Sequence, residues 1–405
     1  MKIISQYKDL PRRVYILCGA RTVTAMGMFI FSFASLILTT ILGYSTLVAS
    51  YVLMSSSILG IIGAFVFGHM ADISGRKIIL QLMLLLGTLN LFISGLICYT
   101  PYIIITLLLS NFIFSGVLPI VAAMVTDWSE PGNRAQCFSL LYLCVNLGFS
   151  IGQIFAGMLF YDHYPWIFWA QGIAWLLTAI IVGFFIKDDY VPVKRKVKTA
   201  ADPNLDATLI SMVLKDKILI GLILALMMLT FVHMQVSFMV PLQFNKLIGL
   251  KATSLMVSHL WLINGISCVV LTPVLTLLIK KIGILESILL AALIYVVSFG
   301  LYGLFDSRLL VLMIVPLWTS AEIIVNTTGG VFIASRSPEA FRARYQSLSG
   351  FAGSAGNCIA PLVMGLFLVN HTYMQGWMLT SSVSGVAAIL LIILVIASKR
   401  TENQL

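Results

Sequence analysis

Charge is scarce in this chain. Asp, Glu, Lys and Arg make up 10% of its 405 residues while hydrophobic residues make up 60%, so it lacks the solvating side chains that two or three soluble domains of this total length would need. Metal-binding patterns are missing as well. The six cysteines, Cys18, Cys98, Cys137, Cys144, Cys268 and Cys358, form no CxxC and no Cys/His spacing suited to zinc. They fall in or beside apolar runs, which makes them small packing residues rather than disulfide partners. There is no HExxH and no Cys/His pair with a plausible role, so nothing positive supports a membrane-embedded enzyme, and no catalytic residue and no metal site are expected. Large polar stretches are absent too. The longest runs for only about thirty residues, from Lys187 to about Lys217, too short for the extramembrane domain of a receptor or assembly protein.

What the chain does have is apolar runs of about 18 or more residues, the length a helix needs to cross a ~30 Å hydrocarbon layer. The first extends from near Val14 past Leu38, too long for the apolar core of a signal peptide, so the N-terminus is expected to be retained. Breaking the chain at polar and Gly/Pro-containing positions gives twelve segments, centred near residues 25, 57, 88, 115, 148, 176, 231, 266, 294, 321, 357 and 387. With the N-terminus inside, the cytoplasmic segments and loops collect 21 of the 25 Lys and Arg. Only Lys246, Lys251 and Arg308 remain outside, and Arg21 lies within a span. This bias places both termini in the cytoplasm of a multi-pass protein of the cell's inner or plasma membrane. The net charge of +10 is then a topology signal, reinforced by anionic membrane lipids at the inner leaflet, and requires no nucleic acid.

The polar interval divides the spans six and six, giving halves 1–186 and 218–405 joined by a cytoplasmic loop, 187–217. Sliding one half along the other aligns features at an offset of about 208: Gly75 with Gly283, Arg134 with Arg342, Ser139-Leu140 with Ser347-Leu348, Gly148 with Gly356 and Gly157 with Gly365. Spans 5 and 11 both carry glycine ladders, "NLGFSIGQIFAG" and "GFAGSAGNCIAP", of the kind that lets membrane helices pack closely or slide.

The loop between spans 2 and 3 reads GHMADISGRK. Its Gly68, Asp72, Gly75, Arg76 and Lys77 fit Gly-x-x-x-Asp-x-x-Gly-Arg-Lys/Arg, which resembles the best-known signature of the major facilitator superfamily. Gly68 is expected to let neighbouring backbones approach, Gly75 to permit a tight turn, and Asp72 to pair with a base or a helix N-terminus in a gate. Ile73 departs from the pattern, where Arg is usual, and the second copy has Lys280 in place of the acid. Asp127 and Arg134, at the cytoplasmic end of span 4 and the start of span 5, join this gating group.

A charge near the bilayer centre costs at least about 2.5–3.5 kcal/mol, so charged residues there are functional candidates. Glu322, in "WTSAEIIVNTTGG", lies roughly halfway along span 10, with Asn326 four residues on and so on the same face. An acid out of water is well suited to take and release protons near neutral pH, which makes Glu322 the main proton-coupling candidate, with His233 of span 7 as its partner. Arg21, in "CGARTVTAMG" of span 1, is a candidate to pair with a carboxylate, to hold an anionic group of the substrate or to snorkel towards the cytoplasmic surface. Gln235, Asn326 and Asn111 complete the substrate-contact candidates.

The opening of the chain, the loop signature, "MQVSFMVPL" in span 7 and the Glu of span 10 together resemble bacterial proton-coupled multidrug efflux proteins of that superfamily. The resemblance implies an all-α membrane protein with twelve helices in two pseudo-symmetric six-helix bundles. It also implies alternating access, and export of small amphipathic molecules by a monomer that uses a proton gradient and no cofactor. Three departures weaken the substrate assignment: Phe112 where many drug antiporters carry Arg, Ser237 where some carry an acid, and Ala321-Glu322 with Thr327 in place of Gly-Glu and Pro. A proton-coupled carrier of a nutrient or an anionic metabolite is the alternative among transporters.

Overall fold

The computed structural model describes residues 7–130, 132–187, 216–336 and 342–402; the expected central loop, 187–217, lies almost wholly outside them. Among the described residues the chain is helical with no strand. Eleven helices among the described residues are long and apolar enough to cross a membrane, and one of them, Lys217–Ile282, is 66 residues long. A single span needs only about 20 residues. Gly249 breaks this helix with φ 77° and ψ 169°, a conformation open to glycine but not to a residue with a Cβ. The break separates spans 7 and 8, which brings the total to twelve. Eleven of the twelve expected centres fall inside helices, and the one near 115 falls on the break in span 4.

The spans are Arg12–Ile41, Thr46–Ser74, Arg76–Leu96, Ile103–Trp128, Arg134–Asp162 and Trp166–Phe185 in the first half, with Lys217–Ile282 supplying spans 7 and 8. Ile284–Leu304, Arg308–Ser335, Arg342–Phe367 and Tyr373–Glu402 complete the set. Two spans are interrupted. Span 1 is broken at Gly27 and ends in a π-helical turn, Ile37–Ile41, and span 4 is broken at Ser115 and Gly116.

The offset of 208 is visible in the backbone. Gly75 (φ 102°) and Gly283 (φ 95°) each end one helix and start the next. The helices that follow, Arg76–Leu96 and Ile284–Leu304, are both 21 residues long and start 208 positions apart (284 − 76).

Between membrane helices the hydrophobic effect gives little drive, so small residues that allow close backbone contact decide the packing. A Cβ on Gly148 would run into the Thr22 carbonyl and one on Gly152 into the Met26 carbonyl, which fixes span 5 against span 1. A Cβ on Gly356 would meet Thr230 and Met227, which fixes span 11 against span 7. Thr22 and Thr230 also differ by 208, so the two copies keep the same glycine–threonine contact. Gly350 and Gly353 have nothing within 4 Å of an added Cβ, so close approach in the second ladder falls on Gly356 and not on those two.

The chain forms two compact units, one of Met1–Pro192 with Val240–Val269, the other of Val193–Met239 with Val270–Leu405. In the first unit, the segment around the Gly249 break is held by Asn245 Nδ2 donating to Thr40 Oγ1 at 2.9 Å and by Trp261 against Phe31 and Phe149. In the second, Trp318, Trp377, Tyr295, Tyr302 and Phe299 are fully buried. Large apolar side chains such as Phe65, Leu96 and Phe184 are strongly exposed, as expected where lipid hydrocarbon is the solvent.

Candidate functional site

In the second unit His233 of span 7 faces Glu322 of span 10, with 3.6 Å between Nε2 and Oε2. That is ion-pair range but too long for a hydrogen bond, and His233 Nε2 is buried without a hydrogen-bond partner. The side chains are 26% and 17% exposed. The imidazole packs against Trp318, with ring centroids 5.6 Å apart, and against Tyr295, at 6.3 Å. Behind these lies an aromatic wall. Tyr295, Phe299 and Tyr302 recur at helical spacing along span 9, and Phe299 and Tyr302 pack on Trp377 of span 12. The polar tips of the wall satisfy one another: Trp318 Nε1 donates to Tyr302 Oη at 2.9 Å, and Tyr302 Oη donates to the Val311 carbonyl at 2.9 Å. The acid and the imidazole therefore stand against a largely apolar surface on which the Trp318 and Tyr302 donors are already used.

The other candidates of this unit are placed differently. Asn326 follows Glu322 by one helical turn and is exposed. Gln235 is wholly buried and its Nε2 donates to the Ala360 carbonyl at 3.2 Å, so in this structure it ties span 7 to span 11 and does not face a cavity.

In the first unit Arg21 is 5% exposed, and its Nε and Nη1 are buried without hydrogen-bond partners. Its Cζ lies 6.0 Å from the centroid of the Phe114 ring. Phe114 in turn stacks on Trp175, with centroids 5.2 Å apart and planes 23° apart. Asn111, one turn before Phe114, donates through Nδ2 to the Ser56 carbonyl at 2.6 Å and so ties span 4 to span 2.

The loop signature is resolved residue by residue. Gly75, with φ 102°, makes the turn for which glycine is required. Gly68 does not serve close approach, because nothing lies within 4 Å of an added Cβ. That role belongs to Gly63, one and a half turns earlier, where a Cβ would strike the Phe112 carbonyl. Asp72 is exposed on the last turn of span 2. Arg76 pairs with Asp127 at the end of span 4, and Lys77 Nζ donates to the Gly183 carbonyl of span 6 at 3.0 Å. Arg134 caps the same end of span 4, its guanidinium reaching Ser129 Oγ at 3.3 Å and the carbonyls of Thr126 and Ser129 at 3.4 Å. The bases of the signature thus bind the ends of spans 4 and 6.

The ladder of span 5 contains Gly148-Phe149-Ser150-Ile151-Gly152, a Gly-x-Ser-x-Gly string. Ser150 is buried in mid-helix and donates to the Asn146 carbonyl at 2.7 Å, which is not the strand-to-helix elbow that exposes a nucleophile.

The sequence model of the Major Facilitator Superfamily matches residues 17–361, and the chain belongs to that family: it is a multi-pass membrane transporter of small molecules, not an enzyme. An uncharacterized MFS-type transporter of Bacillus subtilis (strain 168), YttB, is 25% identical over 390 residues, covering 89% of each chain. A protein of Planococcus maritimus named as a Na(+), Li(+), K(+)/H(+) antiporter is 20% identical over 263 residues, covering 60% of this chain and 62% of its own. Among solved structures, a POT family transporter in complex with a thioalcohol-conjugated peptide superposes with a TM-score of 0.77 at 14% identity, covering 98% of this chain and 99% of its own. The nucleoside transporter NupG superposes with a TM-score of 0.73 at 14% identity, covering 94% and 98%. At such identities the likeness is one of fold.

Proposed function

We propose that the protein is a proton-coupled secondary transporter that exports small amphipathic compounds by alternating access, with Glu322 as the proton carrier and His233 as its partner. The observation that carries this reading is the pairing of the two side chains at 3.6 Å against an apolar wall. When Glu322 is ionised it attracts a protonated His233; when Glu322 takes up a proton that attraction is lost. A ligand or proton shifts a conformational equilibrium only by its differential affinity for the two states, and a switchable ion pair between spans 7 and 10 supplies such a difference. The halves 1–186 and 218–405 are the moving bodies, the protein works as a monomer in the cell's inner or plasma membrane with both termini cytoplasmic, and the proton gradient replaces any cofactor. Asp72, Arg76, Lys77, Asp127 and Arg134 form the cytoplasmic gating group.

Purified protein in proteoliposomes tests this. A pH gradient of one sign is expected to drive accumulation of amphipathic compounds and the opposite gradient to suppress it. Transport indifferent to the gradient contradicts the reading. A second reading, exchange of monovalent cations for protons, is favoured by the name of the Planococcus maritimus relative. The same liposomes distinguish it: proton release on adding Na(+) or K(+) with no organic compound present selects the cation reading.

A further inference from the structure

We infer that the first unit carries a binding site for an organic anion with a flat apolar body, built on Arg21, Phe114 and Trp175. The inference rests on the transporter reading above and names the substrate class. Arg21 is nine residues into its span, about 14 Å along the helix axis, and its guanidinium stays protonated at any physiological pH. The acids on this unit's spans, Asp72, Asp127 and Asp162, all sit in the last turn of their helices. Arg21 Nε and Nη1 are buried with no hydrogen-bond partner. The Phe114 face compensates part of the charge but offers no acceptor oxygen. Trp175, on which Phe114 stacks, adds another buried donor without a partner at Nε1. Buried donors and a buried cation are costly unless matched. Acceptor oxygens carrying a negative charge supply what all of them lack, and a carboxylate fits the guanidinium fork with two parallel bonds. Phe114, half-buried and backed by the buried Trp175, supplies the aromatic contact for an attached planar group.

The internal repeat relates the position of this site to that of the acid–imidazole pair. Phe114 and Glu322 differ by 208, the interval that relates Gly75 to Gly283 and Thr22 to Thr230. The contact between spans 1 and 4 thus holds a cation on an aromatic ring, while the related contact between spans 7 and 10 holds an acid beside an imidazole. The chain divides the work, with anion recognition in one copy and proton exchange in the other.

The test is equilibrium binding to the full-length protein in nanodiscs of zwitterionic lipid, using naphthoate and its neutral isostere naphthamide as probes. Wild type is expected to bind the acid at least about tenfold more tightly than the amide. Arg21→Gln is expected to abolish that preference, and Arg21→Lys to retain it in part, since Lys offers a point charge without the fork. Phe114→Leu is expected to weaken both probes. Should Arg21→Gln fail to fold, the wild-type comparison and Arg21→Lys still decide. Equal binding of acid and amide by wild type, or an undiminished preference in a folded Arg21→Gln or Arg21→Lys protein, overturns the proposal. So does loss of acid binding when anionic lipid is added, which would assign the acceptor to headgroups. Glu322→Gln is expected to keep the acid preference, so failure of the proton-coupling reading, which shows in transport, is distinguishable from failure of this one.

Discussion

Replacing Glu322 by Gln keeps the size of the side chain and one acceptor oxygen while removing its charge and its capacity to exchange a proton. At 3.6 Å from His233 Nε2, a carboxylate and an imidazolium attract each other by about 4–5 kcal/mol at an effective dielectric of ~20. Both groups are largely withdrawn from water, and that desolvation offsets much of the gain. Roughly 1–2 kcal/mol of coupling remains, the usual size for charged neighbours in a double-mutant cycle. Since about 1.4 kcal/mol is a tenfold change in an equilibrium, the substitution is expected to move the balance between conformational states by about an order of magnitude. Two assays on the same proteoliposomes read the result. Accumulation driven by a pH gradient is expected to vanish, because Gln carries no proton through the cycle, whereas exchange of labelled for unlabelled substrate without a gradient is expected to continue. Gradient-driven accumulation at the wild-type rate in Glu322→Gln refutes the reasoning.

Other substitutions probe the packing and the gate. Gly63→Ala places a Cβ against the Phe112 carbonyl and is expected to lower stability by about 1–3 kcal/mol, whereas Gly68→Ala meets open space and is expected to be neutral or stabilising by up to about 1 kcal/mol; thermal unfolding in detergent compares the two. Gly75→Ala forces a side chain to φ 102°, at a cost of about 1–3 kcal/mol by the same measurement. Asp127→Asn removes the partner of Arg76, and because Asp127 is 40% exposed the stability change is expected to stay below about 1 kcal/mol, so any large effect should appear in transport rate. Cys98, in the turn after span 3, is 1% exposed and burial raises its thiol above the ordinary range; with less thiolate present at neutral pH, it is expected to resist maleimide until the protein is unfolded, as mass spectrometry would show.

Much of the fold was legible because membrane spans are written in composition. Runs of apolar residues gave eleven helix centres and placed the twelfth, near 115, on the break in span 4, and an offset of 208 gave starts that the helices at Arg76 and Ile284 share. Positive φ at Gly75 was legible from the signature, since the turn needs it. The role assigned to Gly68 was not, because helical glycine has two explanations, close approach and absence of constraint, and only the neighbour's position separates them. The breaks at Gly27 and Ser115-Gly116 escaped notice since Gly is common in intact membrane helices. The meeting of His233 with Glu322 depends on the relative rotation of spans 7 and 10, which no spacing along one span encodes; both residues stood out as charge-bearing groups at membrane depth. Gln235 was a substrate-contact candidate as a polar side chain at the same depth, yet its rotation turns it to the Ala360 carbonyl. Phe114 and Trp175 drew no attention, being ordinary aromatics in apolar runs, and only their placement beside the guanidinium gives them a role.

The most direct test of the central claim, that Glu322 takes up and releases a proton, is infrared difference spectroscopy of the intact protein in lipid as the pH is lowered. The account predicts a protonated-carboxyl carbonyl band that grows on acidification in wild type and is missing from Glu322→Gln. Identical difference spectra from the two proteins would contradict it.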